Sequence, residues 1–317
     1  MHRAFTHVFT RLFFSVLAGM LVLTLSGCTD DAESRRIEAA KAAKAAQKAR
    51  AAEFANNTPL RVGIFPRRNL ATTRKAFRPL IDHLSKELNT RVILSVPLNF
   101  KRFWQDFKSG RYDIVHYNQY HYVISRKEDN YRVLVTNEEM GNSDIAGALF
   151  VRKDSGVNTV EDLRGKRIMF GGGRKAMGSY IAPLSVLKQH GLDKGDFEEI
   201  FAKNPPAALI NVHRGTFEAA GTGDVVLDLK VVRSKINADA MKMLASSDRY
   251  VHLPWAVNPN MDEKLSSRIQ KIMVDLKSTE KGKSILKSAR VTGFKPAVDK
   301  DFDKVREIVK FALDEVY

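Results

Sequence analysis

Between Arg164 and Leu192 the chain reads RGKRIMFGGGRKAMGSYIAPLSVLKQHGL, and three glycines, 171–173, separate an apolar strand pattern from a helical one. Such a junction exposes unpaired backbone N–H groups at a helix N-terminus, where they can hold an anion. Gly173, Ala176, Met177, Gly178 and Ser179 supply main chain for such a cradle, and Arg174 and Lys175 supply positive charge. The competing reading is a tight turn whose two cations face water. Two nucleotide motifs come close and fail. A Walker A loop carries its lysine after the second glycine, whereas Ser179 follows Gly178 here and Lys175 lies inside the loop. Gly171-x-Gly173-x-x-Ala176 has the spacing of a dinucleotide fingerprint, but Asp193, the candidate ribose ligand, sits in a glycine-bounded helix exit, HGLDKG.

Other residues with chemistry to offer cluster at strand ends. In DIVHYNQYHYV (113–123), Tyr117, Gln119 and Tyr120 could donate to an anion, or could simply pack. His116, Tyr117, Tyr120 and His121 resemble donors for a hard trivalent metal, yet adjacent strand residues face opposite sides, so no metal site is expected. Arg67 and Arg68 follow the first strand pattern, LRVGIF, where charge-assisted contacts to an oxyanion would be strong. Trp255 either walls a cleft or packs. No G-x-S-x-G, H-E-x-x-H or C-x-x-C occurs, and His213 has no nucleophile at motif spacing, so neither an enzyme nor a cofactor is expected.

These residues belong to an exported chain. Arg3 and Arg11 precede the apolar run Leu12–Leu25, which is too short to span a bilayer, and Leu25-Ser26-Gly27-Cys28 follows it. This stretch resembles a bacterial lipobox: residues 1–27 would be a signal peptide and Cys28, the only cysteine, the lipidated residue. Residues 28–58 hold an Ala/Lys-rich stretch without an apolar stripe, which reads as a helical or disordered tether. The formal charge of +16 and pI near 9.8 favour anionic partners. Without a basic block interleaved with aromatics, nucleic acid is not among them.

From residue 60, strand and helix patterns alternate up to the strand at 131–136, then restart at 145–152 and continue to 224–229. A segment at 250–257 leads into closing helices at 262–277, 279–289 and 300–315. This is an α/β pattern of two units with a returning tail. The run VRKDSGVNTVEDLRGKRIMFG (151–171), the next helix with Tyr180 and Pro183, and the later GTFEAAG resemble the phosphate/phosphite/phosphonate-binding (PhnD-like) proteins of ABC importers, of the type II periplasmic binding proteins. The likeness runs from about Leu60 to the C-terminus. It implies two lobes, each a mostly parallel sheet flanked by helices, with 59–146 and 254–317 in one, 147–253 in the other, and a ligand cleft between. It also implies a monomeric, lipid-anchored protein on the periplasmic face of a bacterial membrane. That protein would capture a small oxyanion of the phosphonate, phosphite or phosphate class for an ABC permease; the alternative is a sensor reporting the anion to a membrane histidine kinase. Glu218 falls where the family carries an acidic residue able to meet a ligand ammonium. Where the family has a Ser-Thr-Ser-Gly run, this chain has Arg174 to Ser179, with one hydroxyl and two added cations, and where the family has a tyrosine before the hinge it has Asn142-Ser143-Asp144.

Overall fold

The structure, a computed structural model, describes residues 34, 35, 37, 38, 41, 45, 58–67 and 69–317. The expected signal segment, Cys28, most of the tether and Arg68 lie outside the described residues. Asn57–Tyr317 is one compact unit. Its chain begins with three strand–helix repeats: β1 (Leu60–Ile64), α1 (Leu70–Leu88), β2 (Val92–Ser95), α2 (Phe100–Lys108), β3 (Ile114–His116) and α3 (Gln119–Asp129). β4 (Arg132–Glu138) leads through the short β5 (Asp144–Ile145) into a second set: β6 (Gly147–Arg152), β7 (Arg167–Phe170), α4 (Ala182–Gln189), β8 (Glu198–Phe201), α5 (Pro205–His213), β9 (Ala219–Gly223), α6 (Lys230–Arg233) and β10 (Met241–Ser246). β11 (Tyr250–Val251) pairs with β5, and the chain returns through β12 (Pro254–Val257), α7 (Glu263–Asp275), α8 (Glu280–Ala289), β13 (Gly293–Pro296) and α9 (Asp303–Leu313).

Both sheets are mixed instead of mostly parallel, which corrects the sequence expectation while keeping the α/β class. The first has the order β13-β4-β12-β3-β1-β2 and the second β10-β6-β9-β7-β8. The repeats pair parallel, β2 and β3 on β1, and β8 and β9 on β7. The strands that carry the chain between the sheets and back run against their neighbours: β12 is antiparallel to β3 and β4, and β6 to β9 and β10. The parallel strands still open their carboxyl ends on one edge of each sheet, which is where α/β proteins bind ligands.

Local chemistry explains two further features. α1 continues through Pro79: Asn69 Oδ1 accepts the Thr72 N–H at 2.8 Å, and Phe77, Leu80, Ile81 and Leu84 are buried. That cap and packing outweigh the one hydrogen bond a proline removes. The strand expected at 224–229 ends earlier, as β9, and Asp224–Asp228 forms a 3₁₀ turn. β9 needs small residues because it lies beneath Phe170; a methyl group on Gly221 would sit 2.5 Å from that ring.

Candidate functional site

Five helices follow the carboxyl ends of parallel strands, and four begin alike. Asn69, Asn99, Asn118 and Asn204 cap α1, α2, α3 and α5 by accepting the N–H groups of Thr72, Arg102, His121 and Ala207. Each cap satisfies one donor that a helix start leaves free. The helix after β7 departs from this. Its N-cap is Ala176, no side chain caps it, and its first turn, Met177–Ile181, is π-helical before it runs into α4. The N–H groups of Tyr180 and Ile181 both donate to the Ala176 carbonyl, at 2.9 and 3.1 Å. The amides of Met177, Gly178 and Ser179 therefore point out of the helix end with no protein acceptor among the described residues.

A hydroxyl waits at that end. Tyr250, on the hinge strand β11, is 2% exposed, and its OH has no hydrogen-bond partner among the described residues. A methyl group on Gly178 would lie 3.3 Å from this oxygen. Burial, reinforced by the Asp224 carboxylate, pushes the phenol far above its ordinary range, so it stays protonated and can only gain by donating. Three amides and one phenol, each without a protein acceptor among the described residues, thus lie at the same helix end. An anion is what such a set accommodates.

The first lobe closes the other side of this spot. Asn118 Nδ2 donates to the Lys175 carbonyl at 2.8 Å, while Asn118 Oδ1 accepts from His121 N and Nδ1 at 2.9 and 2.6 Å. Gln119 Nε2 donates to the Val251 carbonyl of the hinge at 2.9 Å. Arg249 braces the crossing by pairing with Asp144 and Asp224, both at 2.6 Å. The positive N-terminal end of α3 consequently abuts the turn after β7.

Of the residues singled out from sequence, Ala176, Met177, Gly178 and Ser179 form this turn, and Ser179 is buried. Gly173 is exposed with nothing within 4 Å of where a Cβ would stand. Lys175 is exposed and makes no ion pair among the described residues. The other candidates have protein partners. Tyr117 is fully buried, with its hydroxyl 2.6 Å from Ser125 Oγ, so it belongs to the core. Tyr120 donates to Glu315 at 2.7 Å and packs edge-on to Tyr317. Arg174 turns back on its own lobe, pairing with Glu199 at 2.5 Å and lying over the Phe201 ring. Glu218 pairs with Arg167 at 2.9 Å at the amino ends of β7 and β9, opposite the turn. Gln119 serves the hinge, and Trp255 packs flat on His116 at 4.4 Å without walling a cleft.

Arg67 has a different role. Its guanidinium faces both Glu139 oxygens, at 3.5 and 3.4 Å, next to a cavity of about 20 Å³, room for roughly one water molecule. Burial alone would raise the Glu139 carboxyl; Arg67, His252 and the Asn137 amide instead bring it down to about 2. His252 Nδ1 accepts the Leu253 N–H, which leaves the proton on Nε2, 3.8 Å from Glu139. Burial holds His116 and His252 neutral, at about 3 and about 4. Among the described residues no three His, Cys, Asp or Glu side chains come together as metal ligands.

Residues 62–302 match the family model described as ABC transporter, phosphonate, periplasmic substrate-binding protein. The chain belongs to this family. The probable ABC transporter phosphite binding protein PhnD1 of Prochlorococcus marinus is 20% identical over 269 residues, covering 80% of this chain and 90% of that protein. The PhnD1 structure in complex with methylphosphonate aligns with a TM-score of 0.68 over 80% of this chain and 98% of that one, at 20% identity. XAC2383 from Xanthomonas citri bound to ATP aligns with a TM-score of 0.70, 16% identity and coverage of 81% and 97%. A shorter match, 28% over 161 residues, links 48% of the chain to 27% of the tetrathionate sensor histidine kinase TtrS of Salmonella typhimurium. The family's two-lobed architecture accounts for the paired sheets and the short β5–β11 hinge between them.

Tyr250 and Asn118 escaped the sequence reading. In an extended segment residues two apart share a side, so DRYVHLPW could have set Tyr250 and His252 together. Asn118, lying between the chosen Tyr117 and Gln119, carries the signal of an N-cap at a strand–helix junction.

Proposed function

We propose that this protein captures an oxyphosphorus anion between its lobes and presents the loaded form to an ABC permease. One observation carries the reading: a buried Tyr250 hydroxyl without a protein partner among the described residues lies against Gly178, in the turn whose Met177, Gly178 and Ser179 amides are uncapped. The anion's oxygens would accept from those amides, from Tyr250 and from the Ser179 hydroxyl, with Lys175 adding long-range charge. Five charge-assisted hydrogen bonds, at roughly 1.5–3 kcal/mol each, bring micromolar affinity within reach even after an association cost of at least about 4 kcal/mol. Family membership supports the oxyphosphorus class, and the likeness to PhnD1 supports phosphite or a phosphonate.

The lipobox at Cys28 supports a lipid anchor on the periplasmic face, with the residues up to 58 as a spacer, and we propose a monomer without catalytic activity. A sensory role for the same capture rests on the short match to TtrS and on no feature of this chain beyond it. Calorimetry of the purified protein against phosphate, phosphite, methylphosphonate and sulfate tests the reading. Heat from at least one phosphorus anion, and less from sulfate, is expected. No heat from any phosphorus anion removes the proposal.

A further inference from the structure

We infer that Asn118, in the first lobe, is a positioning residue for the anion turn of the second, holding the peptide before Met177 so that its free amide is set for the solute; this rests on the oxyanion reading above. Four asparagines cap helices that follow parallel strands, a task that serine or aspartate performs as well. Asn118 differs from the other three. It is buried, whereas Asn69 and Asn99 are exposed and Asn204 is half-buried, and it alone of the four also donates through its side-chain nitrogen. That nitrogen reaches the Lys175 carbonyl of the other lobe at 2.8 Å.

The Asn118 amide cannot turn over. Its Oδ1 accepts from His121 N at 2.9 Å and from His121 Nδ1 at 2.6 Å, so a flipped amide would set donors against donors and an oxygen against the Lys175 carbonyl oxygen. His121 is fixed in turn, buried with Trp104 5.0 Å away. Burial lowers His121 to about 3, with the nearby Lys175 charge acting the same way, so the ring is neutral and keeps its one proton on Nδ1.

Across the gap, the Lys175–Ala176 peptide is held at both polar ends, its carbonyl by Asn118 and its N–H by the Gly173 carbonyl at 2.8 Å. The next carbonyl, of Ala176, accepts the Tyr180 and Ile181 N–H groups from inside the helix. A trans peptide sets its N–H opposite its carbonyl, so the Met177 N–H points away from the helix, and two successive peptide planes fix its direction. Before them runs the glycine stretch, where Gly173 has nothing within 4 Å of a Cβ position. Glycine leaves such a loop free to rotate. Asn118 removes that freedom where the anion turn begins, which orders the donors before the anion arrives.

The experiment is titration calorimetry of methylphosphonate, phosphite and phosphate into the purified natural protein, Asn118→Ser, Asn118→Asp and Asn99→Ser, with thermal unfolding as a folding control. Asn118→Ser keeps a cap and adds no charge, and Asn118→Asp keeps both acceptor bonds and loses only the donor. Both are expected to raise Kd about three- to tenfold, the range for one lost neutral hydrogen bond, while Asn99→Ser leaves Kd unchanged. In the ligand-free protein the Lys175 carbonyl ¹³C resonance is expected to move upfield in both Asn118 variants, a change that a role confined to capping α3 would not produce. An unchanged Kd in Asn118→Ser, or weakening in Asn118→Asp alone, which reports the added negative charge, overturns the positioning role and leaves the oxyanion reading standing. Binding of none of the three anions by the natural protein defeats both.

Discussion

Replacing Tyr250 by phenylalanine is expected to move stability and affinity in opposite directions. The hydroxyl is buried, finds no protein acceptor among the described residues, and lies against Gly178. An unsatisfied buried hydroxyl costs about 1–3 kcal/mol, and its removal leaves a ring of nearly the same shape. Without ligand, Tyr250→Phe is expected to unfold at the same temperature as the natural protein or higher, by about 2–4 °C per kcal/mol regained. With ligand, the variant lacks one hydrogen bond to a charged group, worth roughly 1.5–3 kcal/mol, so Kd for methylphosphonate is expected to rise about 10- to 150-fold. Differential scanning calorimetry and isothermal titration calorimetry measure the two effects. A structural tyrosine would give the reverse, with a lower unfolding temperature and an unchanged Kd. That pairing refutes the reasoning.

Three further outcomes follow from local geometry. Gly171→Ala places a methyl group 2.5 Å from Pro205 Cα and is expected to cost about 3 kcal/mol, whereas Gly173→Ala meets nothing within 4 Å and is expected to unfold with the natural protein; equal melting of the two variants contradicts this packing. Arg174→Ala is expected to keep phosphonate affinity within about twofold, because Arg174 is tied to Glu199, while Lys175→Ala weakens binding about three- to tenfold, and more so at low salt; the reverse ranking by titration calorimetry rejects the assignment. His116 and His252 have folded pKa values of about 3 and about 4, below the ordinary 6.5, so the unfolded chain takes up protons first as the pH drops. Their stabilisation is full above pH 6.5 and is lost from there down to about 4, by roughly 3 kcal/mol for His252 alone, and Glu139 continues the loss from 4.5 toward 2. Urea unfolding at pH 7, 5.5 and 4.5 checks the slope, and a flat profile contradicts it.

The sequence made the fold legible where pattern and packing agree. Alternating strand and helix periods are local, so β1 to α3 and β6 to α5 could be read directly, and the glycine run marked the one start without a side-chain cap among the five helices that follow parallel strands. What stayed hidden depends on long-range pairing. Whether β4 and β12 run with or against β3 follows from where the chain re-enters the sheet, which no local period encodes. Side-chain partners were equally invisible. Arg174 looked like a ligand for an anion, but Glu199 and Phe201, 25 and 27 residues onward, claim it through the pairing of β7 with β8. Tyr117 lost its hydroxyl to Ser125, one helix turn and a strand end away, while Tyr250 kept its own because it sits where the hinge crosses the second lobe. Hydroxyls near strand ends are common; which of them lacks a partner is decided only by the fold.

The central claim is that the main chain at the start of the helix after β7 holds the anion. Methylphosphonate titrated into the purified ¹⁵N-labelled protein tests it most directly by amide NMR. The account predicts that the amide protons of Met177, Gly178 and Ser179 move downfield together and saturate with the calorimetric Kd. Binding that leaves those three resonances in place, with the changes gathered around Arg67 and Glu139 instead, would contradict it.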